Sequence, residues 1–295
     1  MYINLELYRT FYITAKLGSI SKAAKELFTS QPAVSHSIKL LEEKLGGQLF
    51  YRTPKGVSLT LEGKILFEYI EQGYGIIQNG ERKFHELKNL NFGEVRIAAC
   101  DAVCKHFLLK YLEKYNKLFP NIKIKVTNES SYRIIELLEC GKIDLGILNM
   151  NVNKKDSLNI IKTIDLQDCF VVNEKYKYLS EKTISLSEIV NNTPILLLEK
   201  GGNSRDFLDK YFNSNGISVS PEIELSTVEL LVEFAQIGLG AACVVKNYIE
   251  KELKEKKLYE IKLQEPIPKR IIGFATKKGV SMSTATEKFV ELLEI

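Results

Sequence analysis

The chain has 295 residues, enough for about two domains, and its 45% hydrophobic and 26% charged residues exclude a disordered or fibrous protein. The formal net charge of +4 neither requires nor excludes a nucleic-acid partner, because such footprints are local. No apolar run approaches the roughly 18 residues of a membrane helix. The opening Met1–Glu6 does not read as a leader, and five cysteines without a pairing pattern fit a reducing cytoplasm.

The charge is unevenly spread. Residues 1–90 hold 12 Lys and Arg against nine acids, all Glu, and the remaining 205 residues are nearly balanced. The three histidines, His36, His85 and His106, lie far apart and offer little to a His-based metal centre or a Ser-His-Asp triad.

In chain order, Leu5, Tyr8, Phe11, Tyr12 and Ala15 repeat with a helical period, and Gly18 is a stop signal. Ser19 or Ser21 can cap a short second helix marked by Ile20, Ala23, Ala24 and Leu27. The two alanines allow the close helix approach of a helix–turn–helix. After the turn Phe28-Thr29-Ser30, Ser30 or Gln31 caps a third helix with Pro32 in its first turn. Val34, Ile38, Leu41 and Leu45 predict its buried stripe. The opposite face presents Gln31, Ser35, His36 and Lys39, hydrogen-bonding types without an acid, as a major-groove reader requires.

Residues 49–53 and 57–60 flank Pro54-Lys55-Gly56 and predict a two-stranded wing, with Arg52 and Lys55 toward a phosphate backbone. Thr60 then caps a long helix to about Leu90. Its apolar and glycine positions Leu59, Gly63, Leu66, Ile70, Gly73, Ile77, Gly80, Phe84 and Leu87 alternate spacings of four and three, a heptad seam widened by Ile65, Tyr69 and Ile76. The same helix of a second subunit is the expected partner.

These residues carry a resemblance. Phe11, Gly18-Ser19, Ala23-Ala24-Lys25-Glu26-Leu27, the run from Ser30 to Ile38, Leu41-Glu42, Leu45-Gly46, Leu49-Phe50, Arg52 and Leu59-Thr60-Leu61-Glu62-Gly63 resemble the reading head of LysR-type transcriptional regulators. The resemblance implies that Gln31, Pro32, Ser35, His36 and Lys39 face DNA, with Ser30, Arg52 and Thr53 near its backbone. His36 stands where the family commonly has Arg.

Residues 89–93 read as a hinge, followed by alternating strands and helices. Strands are expected at 95–99, 122–126 and 144–148, with helices between them, hence a mostly parallel sheet. A second α/β unit has strands at 170–172, 195–198 and 241–245 and helices near 204–215, 226–237 and 247–255. A strand at 270–276 and a helix at 283–295 close the chain. This part also resembles the LysR-type effector domain, itself like a two-lobed periplasmic binding protein, through Leu108, Phe119-Pro120, the run Gly141 to Ile147 and Gly238 to Ala241.

The fold expectation is therefore an all-α winged helix–turn–helix N-terminal domain with a long linker helix and an α/β two-lobed C-terminal domain. Its divisions fall at 1–60, 61–90 and 91–295. Lobe I covers about 91–163 and 266–295, lobe II about 164–265, with crossovers near 163 and 265. Ligands collect at strand carboxyl ends. By position these are Cys100, Asp101, Ala102, Asn128 and Asn149 on one side, and Glu199, Gly202, Asn203, Ser204 and Thr227 on the other. The family often has hydroxyls where Cys100 and Ala102 stand. Their absence, with Asp101 added, favours a ligand bearing an amine or other donors over a simple anion.

The function implied is a cytoplasmic regulator that binds double-stranded promoter DNA and a small-molecule effector. It is expected to form dimers and tetramers, with RNA polymerase as a further partner and without membrane, cofactor or metal. Closure of the effector cleft would reposition the paired reading heads and alter DNA bending. A redox or metal sensor through Cys100 and Cys104 on the same scaffold is the alternative, against the plainer reading of two small buried residues. A ligand-binding module without DNA contradicts the acid-free face of Gln31 to Lys39. An enzyme is disfavoured because the chain lacks a P-loop, a GxSxG elbow, HExxH and a complete GxGxxG.

Overall fold

A computed structural model of the chain describes residues 3–53, 56–88, 93–150 and 156–293. Pro54, Lys55, the hinge residues 89–92, the side chain of Leu87 and residues 294 and 295 of the expected last helix lie outside these. The chain divides into two compact units. The first is essentially residues 1–88, and the second holds nearly all the rest.

The first unit opens with α1 (Leu5–Leu17), α2 (Ile20–Glu26) and α3 (Gln31–Leu45). Each start is capped by a side chain: Asn4 accepts from the Glu6 amide, Ser19 from Lys22 and Ser30 from Ala33. Gly18 and Gly46 close α1 and α3 in the left-handed region. Phe11, Ala23, Ala24, Val34, Ile38 and Leu41 are buried in one core, so the alanine pair does let α2 and its neighbours close up. Two expected core positions are not there. Leu5 is 72% exposed and Leu7 takes its place inside, and Leu45 is 43% exposed at the end of its helix.

The wing is β1 (Phe50–Thr53) paired antiparallel with β2 (Gly56–Leu59). Its base is tied down twice. The Glu42 carboxylate accepts from the Leu49 amide at 2.7 Å and the Phe50 amide at 3.3 Å. The Val57 amide donates to the Gly18 carbonyl at 3.0 Å. Gly56 has φ +137°, and a Cβ there would lie 2.3 Å from the Gly18 oxygen, so this corner admits only glycine.

Helix α4 (Leu61–Lys88) begins where the Thr60 hydroxyl accepts from the Gly63 amide at 2.9 Å. Its two apolar stripes part company. Leu66, Phe67 and Ile70 pack into the reading-head core, whereas Leu61, Ile65, Tyr69, Ile76, Ile77 and Phe84 are exposed. The expected seam is thus corrected. Its first turns are consumed by the helix's own domain, while Ile77 and Phe84 of the later seam stay exposed together with the residues expected to widen it. Gly63 serves the wing, since a Cβ there would meet the Leu49 carbonyl at 2.2 Å.

The second unit contains two α/β layers. The first sheet has the order β4 (Ile122–Asn128), β3 (Gly93–Ala99), β5 (Leu145–Asn149), β13 (Arg270–Lys277) and β6 (Leu158–Leu166). Helices α5 (Asp101–Val103), α6 (Leu109–Leu118), α7 (Ser131–Glu139) and α12 (Thr284–Leu293) belong to it. A π-helical stretch, Cys104–Leu108, joins α5 to α6. The second sheet has the order β10 (Ile223–Leu225), β9 (Ile195–Leu198), β11 (Ala241–Val245), β7 (Asp168–Val172), β12 (Tyr259–Leu263) and β8 (Thr183–Ile184). With it go α8 (Leu186–Asn192), α9 (Asn203–Ser214), α10 (Val228–Gln236) and α11 (Glu250–Lys254).

Both sheets are mixed rather than mostly parallel. β13 runs antiparallel to β5 and β6, and β7 antiparallel to β11 and β12. The strand β6 runs through the crossover expected near 163. The chain changes sheet at Gln167 and returns between Leu263 and Arg270. We call the two layers lobe I and lobe II. Apolar clusters cover the faces of each sheet, which accounts for strands such as β5, β7 and β11 being buried throughout.

Candidate functional site

Two places concentrate chemistry. On α3, the buried stripe of Val34, Ile38 and Leu41 turns the other face outward. Gln31, Pro32, His36 and Lys39 are exposed and Ser35 is half-buried, while Ser30 caps the helix at its solvent end. Among the described residues the only ion pair on this face is Lys39 with Glu43, at 3.7 Å and largely exposed, which leaves the ammonium free to trade partners. Arg52 and Thr53 project from β1, both exposed, with the Thr53 hydroxyl donating to the Gly56 carbonyl. Lys55 lies outside the described residues.

The second place is a cleft of about 480 Å³ between the lobes of the second unit. It lies at the carboxyl ends of β3, β4 and β5 on one side and β9 and β10 on the other. Sequence reasoning picked these strand ends, and Cys100, Asp101, Ala102, Asn128, Asn149, Glu199, Gly202, Asn203, Ser204 and Thr227 all line it. Asn128 donates its side-chain amide to Asp101, joining the ends of β4 and β3. Thr227 caps α10 through the Leu230 amide, whereas α9 starts at Gly202 without a side-chain cap.

Sequence reasoning missed the buried ion pair that lines the cleft. Arg270 opens β13 and Asp168 opens β7, so each follows a crossover. The Arg270 guanidinium donates to both Asp168 oxygens at 2.5 and 2.6 Å and to the Ser204 hydroxyl at 2.9 Å. Arg270 is 4% and Asp168 8% exposed. Burial opposes the Arg270 charge, but Asp168 more than restores it, so the guanidinium stays charged. A polar residue opening an otherwise buried strand was the available signal for each. At the rim, Lys105 of lobe I reaches Glu229 of lobe II at 3.0 Å, and His106 stacks on Tyr248 with ring centroids 4.3 Å apart.

Four of the cysteine thiols are shifted away from the reactive thiolate form. Burial pushes the Cys104 thiol up to about 11 and the Cys169 thiol up to about 12 and raises Cys243 as well, while Cys100, which is exposed rather than buried as expected, is raised by desolvation of its thiol and by Asp101. A thiol so shifted holds little thiolate near neutral pH. Among the described residues no group of His, Cys, Asp and Glu is placed to hold a metal ion.

Residues 5–64 match the model of the bacterial regulatory helix-turn-helix protein, lysR family, and residues 88–294 match the LysR substrate binding domain. The chain belongs to the LysR family of transcriptional regulators. This LysR-type regulator is 28% identical to a probable RuBisCO transcriptional regulator of Cyanidium caldarium, over 92% of the chain and 87% of that protein. It is 23% identical to the HTH-type regulator CysL of Bacillus subtilis, over 98% and 96%. Solved structures share its fold at 18% identity. A full-length OxyR variant from Pseudomonas aeruginosa covers all of the chain and 96% of its own at a TM-score of 0.72. CbnR complexed with its target DNA covers 99% of each at 0.64. No helix among the described residues is long and apolar enough to cross a membrane.

Proposed function

We propose that this LysR-type regulator reads promoter DNA with the exposed face of α3 and reports the state of a small molecule held in the interlobe cleft. The observation that carries the first part is the acid-free surface of Gln31, Ser35, His36 and Lys39. Gln pairs with adenine edges, and His and Lys meet guanine or phosphate. Ser30 and Pro32 set the helix end against the backbone, and Arg52 and Thr53 of the wing grip phosphates. In this division residues 1–60 read, 61–90 pair protomers and 91–295 sense.

Pairing uses the free stripe of α4, and effector domains join dimers into tetramers. The cleft residues from Cys100 to Thr227 named above hold the effector, and closure of the lobes alters DNA bending and access of RNA polymerase. The protein works in the cytoplasm, without cofactor or metal, and turns over no substrate.

Gel shifts across a salt series test the reading surface. Ser35→Ala or His36→Ala is expected to cost about 1–3 kcal/mol at the specific site and little elsewhere. Arg52→Ala is expected to weaken all sites alike and lower the salt slope by roughly one. Uniform loss from the α3 variants would mean that α3 does not read bases. The cleft is tested by the melting temperature of the full chain with small molecules extracted from cells. A rise in the native protein, absent in Ala102→Trp, is expected, and no rise would count against the effector role.

A further inference from the structure

Half of the charges lining the cleft are already held by opposite charges. Arg270 is held by Asp168 and Ser204. Arg205, also buried, donates to Asp209, Glu224 and the Leu198 carbonyl. Glu229 faces Lys105 and His106. Among the described lining residues, the charges left without an opposite partner are Asp101, Glu129 and Glu199, against Lys200 alone. A ligand that is only an anion would enter against this excess of carboxylates, and the wall at Cys100 and Ala102 offers it no hydroxyl.

The lobe II side has the opposite character. Helix α9 is 12 residues long, and Gly202 gives its first-turn amides no side-chain acceptor. A Cβ at Gly202 would meet nothing within 4 Å, so the backbone there is open to a ligand. The Ser204 hydroxyl accepts from Arg270, which leaves its own hydrogen for an acceptor in the cleft. A buried guanidinium thus orients a neutral donor beside a positive helix end.

We infer that the cleft takes a small zwitterion carrying both an ammonium and a carboxylate, the chemical class of free amino acids. This rests on the cleft being the effector site. The ammonium donates to Asp101, whose other partner is the Asn128 amide, with Glu129 adding negative charge at the end of β4. The carboxylate accepts from Ser204 and the opening amides of α9. A cleft of about 480 Å³ has room for such a ligand. The two poles sit on different lobes, so such a ligand draws the lobes together in a way that neither a bare amine nor a bare acid can.

Calorimetric titration of the full chain tests this with the common amino acids, their N-acetyl and carboxamide derivatives, and acetate, succinate and benzoate. The expected result is that at least one free amino acid binds, and that blocking either its amine or its carboxylate weakens it about tenfold or more. Asp101→Asn, at an exposed position, should weaken the free amino acid about as much and leave the N-acetyl form unchanged, with the circular dichroism spectrum retained. Plain carboxylates or N-acetyl forms binding as tightly as the free amino acid would overturn the inference. Silence from all amino acids would overturn it too. In that case the cell-extract melting test separates the readings: a rise lost in Ala102→Trp keeps the effector site and rejects only the zwitterion, whereas no rise rejects both.

Discussion

At the residue scale, positions that break a local rule are informative. Phe28, in the turn between α2 and α3, has φ +52°, and its side chain is 97% exposed. A bulky residue in the left-handed region is strained by about 1 kcal/mol or more, and here no burial offsets it. Phe28→Gly is expected to raise the denaturant midpoint by the equivalent of about 0.5–1 kcal/mol. A fall would show that the ring packs against something in solution. Cys104 makes a second case. With its thiol held near 11, iodoacetamide should label it far more slowly than free cysteine at pH 7.5, and the rate should climb steeply above pH 9. Rapid labelling at neutral pH would reopen the thiol-sensor reading. Glu42 belongs here too, because its carboxylate holds both amides that lead into the wing. Glu42→Ala strands those donors, so a loss of about 1–3 kcal/mol is expected in urea denaturation.

At the element scale, what was legible depended on whether the deciding contact is local. The helix–turn–helix was readable because caps, stops and the Val34–Ile38–Leu41 stripe are set within a few residues of one another. Helix α8 left a local signal too, the capping box of Ser185 and Glu188, and its expectation was missed for want of a longer apolar period. Helix α4 shows the opposite limit. Its periodicity announced a pairing helix, yet two apolar stripes at heptad-like spacing cannot be told apart until the wing and α1 take one of them. The division yields a sharp test. Ile65→Glu with Tyr69→Glu alters only the free stripe, so light scattering should show dissociation while helix content is kept. Ile70→Ala lies on the consumed stripe and should cost about 1–3 kcal/mol of stability without changing the oligomeric state. If Ile70→Ala dissociates the protein and the double variant does not, the assignment of stripes is reversed.

At the scale of the effector domain, the deciding contacts join residues far apart in the chain, as Asp168 and Arg270 are at 102 residues. Strand ends could be picked from the sequence, but not which of their charges neutralise each other. The rim carries a pH consequence. His106 of lobe I stacks on Tyr248, and its Nε2 lies 3.6 Å from the Glu229 oxygen that Lys105 holds at 3.0 Å. Burial and the adjacent Lys105 charge keep the imidazole below its ordinary 6.5, against the opposing pull of Glu229 and Glu252. The folded chain therefore binds this proton more weakly than the unfolded chain. Between 6.5 and the lowered folded value the unfolded state holds more protons, so stability falls as pH drops through that window and is level above it. Glu229 does not reverse the sign. Burial raises its carboxyl, but Lys105 and the start of α10 more than offset this, so its lowered titration also costs stability as pH falls. Urea midpoints of the full chain should fall as the pH drops below 6.5, and His106→Gln should remove that part of the fall. Equal slopes for the two proteins would mean that the rim histidine titrates alike in both states and does not couple proton uptake to the lobes.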